Sequence, residues 1–309
     1  MKVREFEPMK AESLDGDVAK VPRWPMLWSP KLDGIRCVVR NGVALSYNLK
    51  PIRNEYVQSR IGRPELNGMD GELIVGEPTG GEVFNRTLGV MAREGKPDFT
   101  FWVFDDFSAH AHDFLYRIGR VEDRIDDVKA ARLPLALVEH QEIHGPGVLP
   151  LVEEEALRAG YEGVMLRDPS GPYKHGRATA REGWLFKVKR FKDSEAVITG
   201  IEEGRTNTNA AEADAFGRVK RSTHKDKMVP NGQVGTLLGQ CLETGAPLRI
   251  SPGRLTQDQR KHYWAHPEQI IGRLITHSSF LYGVKDAPRF SNFKCFRDPS
   301  TFVPPQPAV

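Results

Sequence analysis

Asn41-Gly42 lies between two β-prone runs, Ile35–Arg40 and Val43–Tyr47, and a two-residue Asn-Gly link of this kind predicts a tight hairpin. That hairpin fixes what precedes it. Ser29-Pro30-Lys31-Leu32-Asp33-Gly34-Ile35-Arg36 becomes a loop that enters a strand, with a lysine, a carboxylate, a glycine and an arginine inside eight residues. Such a loop can hold the Lys31 amine against a phosphate, and Gly34 would let the backbone approach closely. A free lysine, with a pKa of about 10.4, is a poor nucleophile at neutral pH. Desolvation or nearby positive charge, from Arg36 or a metal, would be needed to release its proton. Taken alone, the stretch fits equally well a turn flanked by surface cations.

Further along, Met69–Val75 and Phe99–Asp105 read as strands, the first with Glu72 inside an apolar run and the second ending in a carboxylate. Phe114, Ile118, Val121, Ile125 and Val128 fall three and four apart, which predicts an amphipathic helix. Leu135–Glu142 reads as one strand, Glu153–Ala159 as a short helix stopped by Gly160, and Tyr161–Asp168 as a strand with Glu162 at its mouth. A basic segment (Lys174, His175, Arg177, Arg181) leads into Trp184–Arg190. Read as a strand, that run puts Lys187 and Lys189 on one face and Phe186 and Val188 on the other. Two lysines on one face suit an anion. Residues 1–23 are polar, without apolar periodicity, and predict an extended or loosely packed entry.

A hydrophobic content of 39% with 28% charged residues fits a globular protein, and 309 residues suffice for two domains with proper cores. No apolar run approaches 20 residues and no leader is visible, so a cytoplasmic location is expected. Cys37, Cys241 and Cys295 suggest neither a disulfide framework nor a zinc pattern, as suits a reducing compartment. Charge is uneven along the chain. Residues 1–189 carry 27 Lys+Arg against 29 Asp+Glu, while residues 190–309 carry 17 against 12, so affinity for a polyanion is expected in the second part.

Lys31-x-Asp33-Gly34-x-Arg36, Asp70-Gly71-Glu72, Phe104-Asp105, Glu162-Gly163 and Lys187-x-Lys189, in this order and spacing, resemble the motifs of the covalent nucleotidyltransferase superfamily, and in particular short bacteriophage-type ATP-dependent DNA ligases. The likeness continues through Asp193–Gly200, Val234-Gly235-x-Leu237 and Pro288-Arg289-Phe290 with Phe293 and Arg297, which resemble the C-terminal barrel of the same ligases. It implies an α+β chain of two domains. Residues 1–189 would form an antiparallel-sheet adenylation domain and residues 190–309 a small OB-fold β-barrel that binds DNA.

The resemblance implies that Lys31 attacks the α-phosphate of ATP to give lysyl-AMP, that Glu72 bonds the ribose, and that Phe104 stacks on adenine. Glu162, with Glu72, would help to hold Mg²⁺ or Mn²⁺, while Arg36, Arg167, Arg177, Lys187 and Lys189 would contact the nucleotide and its phosphates. Transfer of AMP to a 5′-phosphate and attack by the 3′-hydroxyl would then seal a nick in duplex DNA, the chain acting as a monomer, in the host bacterial cytoplasm if viral. Two positions depart from the pattern. Tyr47 stands where many relatives have an arginine that contacts the donor phosphate, a loss that Lys50 or Arg53 would have to make good, and Ser29 replaces an acidic residue near the adenine edge. Between the barrel's first strands lies a basic run in which Arg218, Lys220, Arg221, Lys225 and Lys227 are expected to meet DNA phosphates. An RNA ligase, a capping-type nucleotidyltransferase and an inactive nucleic-acid-binding relative are the alternative readings.

Overall fold

The computed structural model describes residues 6–14, 16–91, 94–189, 191–209, 211–213, 219–221, 227–280 and 289–298. The chain is a mixed α+β structure that divides into two compact units, Met1–Arg190 and Phe191–Val309. No helix among the described residues is long and apolar enough to cross a membrane.

The first unit is built on two five-stranded sheets. One runs in the order Val43–Ser46, Ile35–Arg40, Met69–Val75, Phe99–Asp106, Leu135–Leu137, antiparallel except for the last pair. The predicted hairpin is its edge, with Asn41 and Gly42 both at positive φ, 52° and 70°, as a two-residue turn of this twist requires. Cys37, Val39, Leu73, Phe101 and Val103 turn to one face and form a core with Val57 and Ile61 of the helix Glu55–Ile61 and Val121 of the helix Phe114–Asp127. Asp113 caps the latter helix by accepting from the Tyr116 amide at 2.8 Å. The opposite face of this sheet carries Arg36, Asp70 and Glu72, and faces the site.

The other sheet runs Glu12–Ser13, Leu185–Val188, Val164–Arg167, Met26–Pro30, Gln141–Ile143. Met26, Trp28, Leu166, Phe186 and Val188 pack with Leu149, Val152 and Ala156 of the helix Leu149–Arg158. Two expectations are corrected here. Leu135–Glu142 is not one strand: Leu135–Leu137 pairs in the first sheet and Gln141–Ile143 in the second, so the run is the chain's crossing point between them. Nor is the N-terminal stretch loosely packed, since Phe6, Met9, Leu14 and Val21 are buried and Glu12–Ser13 pairs in parallel with Phe186–Lys187. Phe6 and Met9 pack into one cluster and Leu14 and Val21 into another, so their spacing in sequence follows no single period.

In the second unit the order is Pro247–Ile250, Met228–Cys241, Phe191–Asn207, Leu274–Phe280, Arg289–Phe296. The 17-residue strand Phe191–Asn207 is long enough to pair with Leu274–Phe280 along its first half and with Met228–Cys241 along its second. The end strands meet through a bridge between Ser251 and Asn292, where the Ser251 amide donates to Ser291 O at 2.8 Å and the Phe293 amide to Ser251 O at 3.0 Å. The sheet thereby closes on a core of Ala196, Ile198, Val234, Leu237, Ile250, Ile275 and Phe293. Gly272, with φ of 86°, turns the chain just before the strand Leu274–Phe280. Cys37 and Cys241 are buried, and Cys295 is exposed.

Candidate active site

The two sheets of the first unit enclose a cavity of about 290 Å³. Ser29, Pro30, Met165, Leu185 and Lys187 line it from one sheet, and Arg36, Glu72 and Phe104 from the other. A bulge places Phe104. Gly71 is opposite Val103 and Asp70 opposite Asp105, so Phe104 is the extra residue of its strand. In a regular strand Phe104 and Asp105 would point to opposite faces; here the ring lines the cavity while Asp105 is buried beside it.

Lys31 follows directly on the strand Met26–Pro30 and is fixed by its backbone. Its amide donates to Gly163 O at 2.8 Å, and the Glu162 amide donates to Lys31 O at 3.3 Å. The ammonium contacts the buried Glu162 carboxylate, whose other oxygen lies 3.5 Å from Lys189 Nζ. Gly34 serves the sheet rather than a ligand, because a side-chain carbon there would collide with the carbonyl oxygen of Leu73. Lys187 lines the cavity from the second sheet, and Lys189, just past the end of its strand, reaches the site through Glu162. Burial, and then the charges of Lys189 and Lys31, hold the Lys187 ammonium below the usual lysine range.

Glu72 lies across the strand pair from Arg36. Burial pushes its carboxyl up to about 7, with Arg36 and Lys31 opposing the rise. The three arginines of the site are tied down to different degrees. Arg36 donates from Nη2 to Asp70 at 2.6 Å and to Met9 O at 3.2 Å, and its guanidinium carbon lies 4.6 Å from the Phe104 ring centroid, so it braces that ring. Arg167 is buried at the back wall, donating to Asp105 at 2.6 Å, while Arg117 donates to the other oxygen of Asp105 at 2.7 Å. Burial alone would raise the Asp105 carboxyl, but Arg167 and Arg117 outweigh it and hold the group below the usual carboxylate range. Arg177 lines the cavity and donates to Ala11 O at 2.8 Å.

Tyr47 and Ser29, the two departures from the motif pattern, both line the cavity. Sequence reasoning missed Met9, Lys10 and Ala11, which line it from the N-terminal stretch, and Tyr173, whose hydroxyl donates to Asp70 at 2.6 Å and accepts from the Met9 amide at 3.0 Å. Only the charge of Lys10 was visible as a signal. Of the residues expected to meet DNA, Arg218 and Lys225 lie outside the described residues, as does Pro288 of the C-terminal motif. Lys220 and Arg221 fall on the short strand Val219–Arg221, and Lys227 is exposed, its carbonyl accepting from the Thr208 amide at 2.9 Å.

A lysine held against a carboxylate, in a cavity walled by two sheets and rimmed with further cations, is an arrangement suited to an anionic, phosphorylated ligand. No protein-family model matches the chain. The DNA ligase of Halorubrum lacusprofundi is 26% identical over 257 residues, 79% of this chain and 41% of that protein, and a probable DNA ligase of Mycolicibacterium paratuberculosis is 27% identical over 219 residues, 65% and 41%. The chain thus spans less than half the length of these relatives. Among solved structures, Chlorella virus DNA ligase-adenylate is similar with a TM-score of 0.54 and 27% identity, covering 95% of this chain and 100% of that one. A Lig E DNA ligase matches in fold with a TM-score of 0.66 at 21% identity, covering 96% and 100%. The chain is thus similar in sequence and in fold to DNA ligases.

Proposed function

We propose that this chain is an ATP-dependent DNA ligase that seals nicks in duplex DNA through a lysyl-AMP intermediate. The observation that carries the reading is Lys31, clamped by its backbone to the Glu162–Gly163 turn and opening into the cavity between the sheets. In the first step Nζ of Lys31 would form a bond to the α-phosphorus of ATP as the bond to pyrophosphate breaks. AMP would pass to a DNA 5′-phosphate, and the neighbouring 3′-hydroxyl would displace it. The contact with Glu162 keeps the amine aimed, and Lys187 and Arg177 supply positive charge where negative charge accumulates.

Phe104, with Met165 in the opposite sheet, offers apolar wall for a base, and Glu72 is placed for a ribose hydroxyl. A divalent cation fits this set. Among the described residues no three His, Cys, Asp or Glu side chains cluster as a full metal cage. Glu162 and Glu72 approach each other closely enough for their charges to interact, and two carboxylates completed by phosphate oxygens and water are what Mg²⁺ ordinarily takes. The ion would offset phosphate charge. The first unit is then the adenylation domain, and the closed five-stranded sheet of the second supports an OB-fold that grips DNA.

Incubation with labelled ATP and magnesium, followed by denaturing electrophoresis, tests the reading. The wild type is expected to retain label and Lys31→Ala to lose it entirely, along with sealing of unadenylated nicks. A Lys31→Ala chain that still takes the label disproves the assignment.

A further inference from the structure

Tyr47 replaces the cation expected beside the donor phosphate, and it lines the cavity with a side chain that is 44% exposed. Lys50 and Arg53, the stand-ins suggested by sequence, are not among the lining residues, whereas Lys10 is. The Lys10 backbone is held on both sides, its amide donating to Gly176 O at 2.8 Å and its carbonyl accepting from the Ala178 amide at 2.8 Å. These bonds bracket Arg177 in a parallel bridge, and paired residues on adjacent extended segments send their side chains to the same side. Lys10 and Arg177 both line the cavity accordingly.

Lys10 Nζ lies 5.1 Å from the centroid of the Tyr47 ring and 3.5 Å from a carboxylate oxygen of Glu7. The face of an aromatic ring attracts a cation, so the tyrosine holds an ammonium close to where an arginine would have presented its own charge. The geometry points to Lys10, seated on the Tyr47 ring, as the phosphate-contacting residue that replaces that arginine. The inference rests on the adenylyl-transfer reading above. The ion pair with Glu7 is half-exposed and three residues apart in sequence, an arrangement that a phosphate carrying more charge can outcompete. The group contacted belongs either to the nucleotide or to the 5′ end of a nick, and the two sources separate by experiment.

The test uses the full chain with Lys10→Met, which keeps the apolar stem and removes the charge. One arm follows labelling by ATP and magnesium, and the other follows single-turnover transfer of AMP from prelabelled protein to nicked DNA. A KM for ATP raised at least tenfold with near-normal kcat identifies the nucleotide's phosphate; a transfer rate at least tenfold lower identifies the DNA 5′-phosphate. Lys10→Arg should stay within threefold of wild type, and Tyr47→Arg should restore most of what Lys10→Met loses. Activity of Lys10→Met within twofold in both arms overturns the inference, as does a loss that Lys10→Arg shares. A wild-type chain that never takes label sinks the underlying reading, and the inference with it.

Discussion

At Glu72 the proposed role and the surroundings pull apart, since a carboxylate proposed to meet a ribose or a cation sits where burial favours its neutral form. Its carboxyl titrates near 7 in place of 4.5, so the folded chain binds that proton more tightly than the unfolded chain. Stability from this group therefore falls as pH rises from about 4.5 to about 7. Glu72→Gln removes the titration. It should melt higher than the wild type near pH 8, with the gap closing toward about pH 5; thermal melts at both pH values giving the same gap would contradict this account. The charged fraction of Glu72, and with it any hold on a divalent ion, rises through neutrality. The shifted titration was not legible in the sequence, where Glu72 stood out as an acid in an apolar run and as a motif residue but its burial could not be read.

The helix Phe114–Asp127 is tied to the strand Phe99–Asp106 by more than its apolar stripe. Arg117 is 1% exposed and shares Asp105 with Arg167, and Arg124 donates to Asp106 at 2.9 Å. Asp105→Ala would leave two guanidiniums buried without their common partner, which should cost about 3–5 kcal/mol in a urea titration. A loss under ~1 kcal/mol would show that water replaces the carboxylate there. The helix itself was legible from the spacing of its apolar residues, and the strands from their β-prone runs and the Asn-Gly turn. The sharing of Asp105 was not, because Arg117 and Arg167 are 50 residues apart in sequence and converge only when the two sheets meet. The split at Leu135–Glu142 was hidden for a related reason: both strands and the crossing between them are β-prone, and only pairing partners tell them apart. Lys31, Glu72, Phe104, Glu162 and Lys187 could be picked out because motif order marks them, whereas Met9 and Lys10 carry no motif.

Over the whole chain, the excess of cations in residues 190–309 makes the second unit, on the proposed reading, the one expected to contact the DNA backbone. Replacing Lys220 and Arg221 together by alanine should lower the salt slope of duplex binding by about one to two units while leaving self-adenylation near normal. An unchanged slope, measured in the same buffer as adenylation, would place the grip on DNA elsewhere. Composition revealed this asymmetry, but not the closing of the barrel, which depends on a backbone bridge at Ser251 that no side-chain pattern announces. The bulge at Phe104 bears on the whole molecule in another way. Because the strand holds one residue more than its partner between Val103 and Asp105, its length matters as much as its composition. A gene lineage can exchange the residues there one for another, but deleting a single codon would restore an even ladder and force the chain to give up either the aromatic wall or the buried acid behind it.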